Sequence, residues 1–286
     1  MLKIMRLPTR LLRRKADSHK GDFGHILILA GSRRFSGAAV LSALAAMRAG
    51  AGRVTLGIPK SLSTAIIRIK SKEVMILPLA ETSQGSLSLS AYKEIKDFLK
   101  KVDVLVIGPG LTDNKSTQEL VRKVIKNIDL IKVIDADGLN ALAGNLKLLR
   151  NKNIVMTPHP GEMARLLGKS IAVINKDRIN LAKKFAKEHG LILVLKGHNT
   201  IVCDFKGNSY INRTGNPGMA SAGTGDVLTG IIAAFLGQGL DAFCAAKYAV
   251  YLHGLAGDIA AREKSQISLI ASDIIDRIPE AVKLSN

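Results

Sequence analysis

The run His25-Ile26-Leu27-Ile28-Leu29-Ala30 stands between Gly24 and Gly31. A short unbroken apolar run closed by glycines reads as a strand buried on both faces. After a turn, residues 38–49 are rich in Ala and Leu and stop at Gly50-Ala51-Gly52, the composition and glycine stop of a helix. Residues 53–58 then read as a second strand. A strand, a helix and a strand in that order imply parallel pairing, because parallel neighbours need a crossover and the helix supplies it.

The alternation continues outward. Residues 102–107, 132–135, 154–157 and 191–195 read as strands, and residues 91–100, 116–126 and 176–189 as helices. Residues 201–211 differ in kind, with Lys206-Gly207-Asn208 between two short extended runs, the pattern of a β-hairpin. Past Gly215 the chain turns helical over residues 226–236, 241–261 and 271–283. No repeat or low-complexity linker divides it. Residues 1–286 therefore read as one α/β domain, with residues 1–19 as a basic N-terminal extension.

Composition limits the function classes. The 286 residues carry 42 Lys and Arg against 23 Asp and Glu, a formal charge of +19, with 47% hydrophobic residues, enough to fill a sizeable core and to exclude disorder. No apolar run approaches the roughly 18 residues of a membrane span, so no membrane partner is expected. Cys203 and Cys244 lie far apart without Cys or His at ligand spacing, which argues against a disulfide framework and a zinc site and fits a reducing cytoplasm. The first fifteen residues are basic without an acid, but they lack the apolar stretch of a secretory signal. With 4% aromatics, no Trp and scattered basic residues, little surface is available for stacking on nucleic acid. A cationic surface favouring anionic small molecules is the expectation, with no nucleic acid as partner.

In an open parallel sheet the ligand crevice lies beyond the carboxyl ends of the strands. That rule selects Gly31-Ser32-Arg33-Arg34-Phe35-Ser36-Gly37, Gly108-Pro109-Gly110, Asp135-Ala136-Asp137-Gly138, Pro158-His159-Pro160-Gly161-Glu162 and Lys196-Gly197-His198-Asn199-Thr200. The strongest segment is Gly215-Asn216-Pro217-Gly218-Met219-Ala220-Ser221-Ala222-Gly223-Thr224-Gly225-Asp226, which runs straight into an apolar helix. Gly223 and Gly225 allow backbone N–H groups to converge, and the helix start adds partial positive charge, so the turn forms an anion pocket. Asp226 sits near enough to take a proton from a hydroxyl attacking a phosphoryl group held there. Thr224-Gly225 replaces the Lys and Ser/Thr of a P-loop. Asp113 replaces the third glycine of a dinucleotide fingerprint. The pattern alone also fits a glycine turn with Asp226 as a capping acid.

Taken together, these segments resemble the ADP-dependent, or in some relatives ATP-dependent, NAD(P)H-hydrate dehydratases of the ribokinase-like superfamily. The similarity covers nearly the whole chain. It is most specific at Ser36-Gly37-Ala38-Ala39, Arg48-Ala49-Gly50-Ala51-Gly52, Gly108-Pro109-Gly110-Leu111, Asp135-Ala136-Asp137-Gly138-Leu139-Asn140, Thr157-Pro158-His159-Pro160-Gly161-Glu162 and the segment ending at Asp226. The resemblance implies a three-layer ribokinase-like fold with a mostly parallel central sheet flanked by helices. It implies Asp226 as catalytic base beside an anion hole of Gly223, Thr224 and Gly225, with Gly225 also touching nucleotide. Lys196, Gly197, His198, Asn199 and Thr200 would line an adenine nucleotide, and Ala39, Gly110 and His159 would contact hydrated NADH or NADPH. Asn140 and Glu162 would support nucleotide phosphates and Mg2+. The implied chemistry is phosphorylation of the S-epimer's ring hydroxyl by ADP or ATP, then loss of phosphate, with no metal held by the protein alone.

The chain departs from the family at Leu111-Thr112, where many relatives carry a further Gly. Relatives are often fused to an epimerase domain, and the length here implies a separate epimerase. They also suggest a homo-oligomer, a tetramer or dimer. A kinase of the same superfamily acting on a vitamin-precursor alcohol, of pyridoxal, hydroxymethylpyrimidine or thiazole type, remains the alternative. Taken singly, His159 also fits a loop histidine bonded to backbone, Asp135 and Asp137 fit strand-end caps, and Lys196 fits a solvated cation.

Overall fold

The computed structural model describes residues 4–149 and 153–286. Nine strands form one sheet in the order β3-β2-β1-β4-β5-β6-β7-β8-β9. They are β1 His25–Leu29, β2 Arg53–Pro59, β3 Met75–Leu79, β4 Val104–Ile107, β5 Lys132–Ile134, β6 Ile154–Met156, β7 Ile192–Leu195, β8 Ile201–Cys203 and β9 Ser209–Ile211. Strands β1 to β7 pair parallel, with registers such as Ile26 to Val54 and Ile26 to Val104. Strands β8 and β9 add the expected antiparallel hairpin. The parallel strands read as continuous apolar runs because helices cover both of their faces.

Alternate residues serve the two faces. Ile26, Ile28, Val104 and Val106 pack beneath helices Ser36–Arg48, Thr224–Gly237, Ala242–Lys264 and Ala271–Leu284. Leu27, Leu29, Leu105 and Ile107 face the opposite layer, which includes Lys115–Asn127, Pro160–Leu167 and Arg178–His189. This is the three-layer arrangement that the resemblance implies. Helices Ser36–Arg48 and Thr224–Gly237 touch closely at Gly230, where an added Cβ would lie 2.2 Å from the Ser42 carbonyl oxygen. Only a glycine permits that approach, which seats the middle of the second helix against the first.

Two elements depart from the sequence reading. Strand β3 was not expected; Pro78 interrupts its pattern, and proline is tolerated there because β3 is an edge strand. Residues 158–162, read as a strand-end loop, in fact open the helix Pro160–Leu167. The extension is held as well: Leu7 is buried, its N–H donates to the Ser285 carbonyl at 2.8 Å, and the Met5 N–H donates to the Tyr251 hydroxyl at 2.8 Å. Among the described residues no helix is long and apolar enough to cross a membrane.

Candidate active site at the strand ends

The sheet order reverses between β1 and β4, since β2 and β3 lie on one side of β1 and β4 onward on the other. A crevice opens at such a switch point beyond the carboxyl ends. The Gly31 N–H donates to the Pro109 carbonyl at 2.8 Å, bridging the two loops that flank it. Gly110 packs against Phe35, and Ala39 is fully buried beside Gly31. Ala39 therefore shapes the floor of the crevice.

Helix Thr224–Gly237 starts at Gly223, whose φ of 90° is left-handed backbone suited to glycine. The Thr224 hydroxyl donates to the carbonyls of Met219 and Ser221, each at 3.0 Å, and pins the preceding loop. The first intrahelical bond runs from Val227 N–H to the Gly223 carbonyl. The N–H groups of Gly225 and Asp226 have no acceptor among the described residues, as anion capture at a helix start requires. Asn216 braces the loop from behind: its side-chain N–H groups donate to Gly257 O and Asp258 Oδ1, both at 3.0 Å, while its Oδ1 accepts from Gly218 N–H.

Around that helix start lies a charge cluster gathered from distant segments. Lys196 Nζ donates to Asp135 Oδ1 at 2.7 Å and lies 3.8 Å from Glu162 Oε2. Asp135 Oδ2 accepts from the Thr229 hydroxyl at 2.8 Å. Burial opposes the charge on Lys196, but Asp135 and Glu162 more than compensate and hold its pKa above the usual lysine value. Burial, aided by Asp135, pushes the Asp226 carboxyl up to about 7, while Lys196 pulls the other way. Glu162 is likewise raised, first by burial. Behind the helix start, His253 is depressed to about 4 by burial and stays neutral; it bonds the Thr224 backbone, and its Nε2 has no partner.

The other expected residues fall around this basin. His159 caps helix Pro160–Leu167: its Nδ1 accepts from Gly161 and Glu162 N–H at 3.0 and 3.2 Å, and its own N–H donates to Glu162 Oε2 at 2.7 Å. Its ring is thus tied to backbone while the side chain remains 56% exposed. Asn140 donates to Asp137 Oδ1 at 3.1 Å and accepts from Arg165. Arg178 grips the 196–200 loop from below, donating to the carbonyls of Leu195, Lys196 and His198. Gly197, His198 and Asn199 are left exposed. Thr200 turns its hydroxyl back to the Gly197 carbonyl at 2.9 Å.

Sequence reasoning missed Thr229 and His253. Thr229 follows Asp226 by three residues, so both lie on one helix face, and that spacing was a usable signal. Nothing in the sequence marks His253.

A sequence model of the NAD(P)H-hydrate dehydratase family matches residues 26–280. The chain belongs to that family. It is 46% identical over 277 residues to a bifunctional NAD(P)H-hydrate repair enzyme of Moorella thermoacetica, covering 96% of this chain and 52% of the relative. It is 37% identical to the ADP-dependent (S)-NAD(P)H-hydrate dehydratase of Neisseria meningitidis, covering 94% of this chain and 88% of that one. The chain thus spans about half the length of the bifunctional relatives it matches. Among solved structures, it is similar to an ADP/ATP-dependent NAD(P)H-hydrate dehydratase from Bacillus subtilis co-crystallised with ATP and Mg2+, with a TM-score of 0.84, 30% identity and full coverage of both chains. A hydroxyethylthiazole kinase from Pyrococcus horikoshii shares the fold at a TM-score of 0.63 and 15% identity. The fold of the family is ribokinase-like, as the resemblance implied.

Proposed function

We propose that this chain dehydrates the S-epimer of NADH or NADPH hydrate at the expense of ADP or ATP. The observation that carries the reading is the Asp226 carboxyl, poised near 7, beside two backbone N–H groups without acceptors at the same helix start. A base with a pKa near the working pH combines a useful ionised fraction with real basicity. The N–H groups stabilise the charge on a phosphoryl group in transfer.

In the first step Asp226 takes the proton of the ring hydroxyl as its oxygen bonds the terminal phosphorus, and the bond from that phosphorus to the rest of the nucleotide breaks. In the second, the ring carbon–oxygen bond breaks, phosphate leaves and a proton departs from the adjacent carbon, restoring the dihydronicotinamide. The 196–200 loop lines the nucleotide. Gly110, His159 and the floor at Ala39 face the hydrated ring. Mg2+ enters with the nucleotide phosphates as part of the co-substrate, and the buried Glu162 carboxylate supports it. Asn140, with its amide engaged on both sides, supports the Asp137 loop.

The same proposal takes residues 1–286 as one unit, supported by the continuous sheet, and a cytoplasmic setting with a separate epimerase supplying the S-epimer and a tetramer or dimer as the working form. The decisive experiment incubates purified protein with NADH hydrate and either ADP or ATP and follows recovery of absorbance near 340 nm, where reduced nicotinamide absorbs by virtue of the cofactor's own chemistry. Accumulation of a stable phosphorylated alcohol without that band would favour a kinase instead.

A further inference from the structure

A groove of about 850 Å3 lies where the N-terminal extension meets the amino ends of the strands, lined among others by Arg10, Arg13, Arg14, Lys15, Phe23 and Gln238. It is far from the basin around Asp226. Gln238 directly follows the helix that Asp226 begins, twelve residues on, and at 1.5 Å per residue the two lie about 18 Å apart. No part of the proposed reaction uses the groove.

Two of its arginines are held in place. Arg10 Nε donates to the Gln238 carbonyl at 2.5 Å, and Arg14 donates to the Gly50 carbonyl at 2.9 Å while its guanidinium lies 3.8 Å from the centre of the Phe23 ring. Each spends one of five N–H donors on that anchor, so most of its hydrogen-bonding capacity remains. Arg13 and Lys15 are exposed and have no side-chain partner among the described residues. Of the two lining carboxylates, Asp22 is turned to His19, accepting its N–H at 2.9 Å. Fixed guanidinium groups with spare donors bind phosphate bidentately and lose little freedom in doing so. The volume falls in the range of about 300–1,000 Å3 typical of small-molecule sites, and the lining sets Arg10, Arg13, Arg14 and Lys15 against Asp17 and Asp22.

We propose that this groove binds a phosphorylated small molecule through its phosphate groups, at a second anion site separate from the basin at the strand ends. The test is calorimetric titration of the whole chain with inorganic tripolyphosphate at low salt, comparing wild type with Arg13→Glu/Lys15→Glu. Both side chains are exposed and unpaired, so the double variant keeps the fold, which an unchanged melting temperature verifies. The expected result is a class of sites in the wild type whose affinity falls at least tenfold in the double variant, with a smaller fall for Lys15→Ala alone. Identical isotherms, or no binding beyond one class that the substitutions leave untouched, would overturn the proposal. Binding of a short RNA through these residues, tighter than that of tripolyphosphate, would overturn the small-molecule assignment.

Discussion

Lys196 and Asp135, 61 residues apart in sequence, meet at 2.7 Å between Nζ and Oδ1. The second Asp135 oxygen is taken by Thr229 from the helix that carries Asp226. Asp135 therefore ties the 196–200 loop to the helix Thr224–Gly237, and its charge is felt by both Lys196 and Asp226.

Asp135→Asn removes a buried charge that raises Asp226 and frees the Lys196 ammonium. The midpoint of the pH–rate profile should move below the wild-type value near 7, and stability should fall by about 3 kcal/mol, as when one partner of a buried pair is lost. Turnover against pH and urea unfolding test the two parts. A midpoint that stays or rises would remove Asp135 from the control of Asp226.

Asp226→Asn should cut turnover by about 10²- to 10⁴-fold, the usual worth of a proton-transfer group, yet stabilise the fold at pH 8. The wild-type carboxyl titrates near 7 when folded and near 3.9 when unfolded. Between these values the folded state binds a proton that the unfolded chain has released, so wild-type stability declines as pH rises from about 4 to 7. Asparagine has no such decline. Its advantage should be absent near pH 4 and reach at most a few kcal/mol at pH 8 by denaturant unfolding, since each tenfold in proton affinity is worth about 1.4 kcal/mol.

His253 works in the opposite sense. It is held near 4 in the fold against about 6.5 unfolded, so the stability that depends on its neutral ring is whole above about 6.5 and is lost as pH falls toward 4. His253→Gln should flatten that acid limb in calorimetric scans between pH 4 and 7.

Thr112 occupies left-handed backbone at φ 72°, a costly conformation for a β-branched residue. Its N–H donates to Asp137 Oδ2 at 2.8 Å, a bond that glycine keeps. Thr112→Gly should add about 0.5–1 kcal/mol, the relief of strain less the extra entropy of glycine, seen as a higher urea midpoint.

At Gly230 even one methyl is too large, because its carbon would meet the Ser42 carbonyl oxygen. Gly230→Ala should cost about 1–3 kcal/mol by overpacking and lower turnover too, since separating these helices displaces Asp226. Melting temperature and initial rates measure both effects.

Much of this was legible in the sequence because parallel strands buried on both faces leave plain marks: the apolar run from His25 and the glycine-closed helix after it sufficed to predict a parallel α/β sheet, and the resemblance to a known family added the three layers. The strand-end rule then selected the loops holding Asp135, Glu162, Lys196 and Asp226. It did not show that these side chains converge on one another, because neighbours 27 to 34 residues apart along the chain share no periodicity. Strand β3 was obscured by Pro78, harmless only because the strand lies at the edge, and the helix at Pro160 was obscured by the turn residues that start it. His253 became visible only when the packing of two helices placed it behind the Thr224 backbone.

The basin is acidic within a strongly basic protein. Asp135, Asp137 and Glu162 all raise the Asp226 carboxyl against the pull of the Lys196 ammonium, whereas the whole chain carries +19. From a distance an anion is drawn in; over the last few ångströms the carboxylates oppose it while the N–H groups of Gly225 and Asp226 hold it. A nucleotide that carries its own magnesium should consequently be admitted far more readily than the naked anion, because the counter-ion shields its phosphates from those carboxylates on the way in.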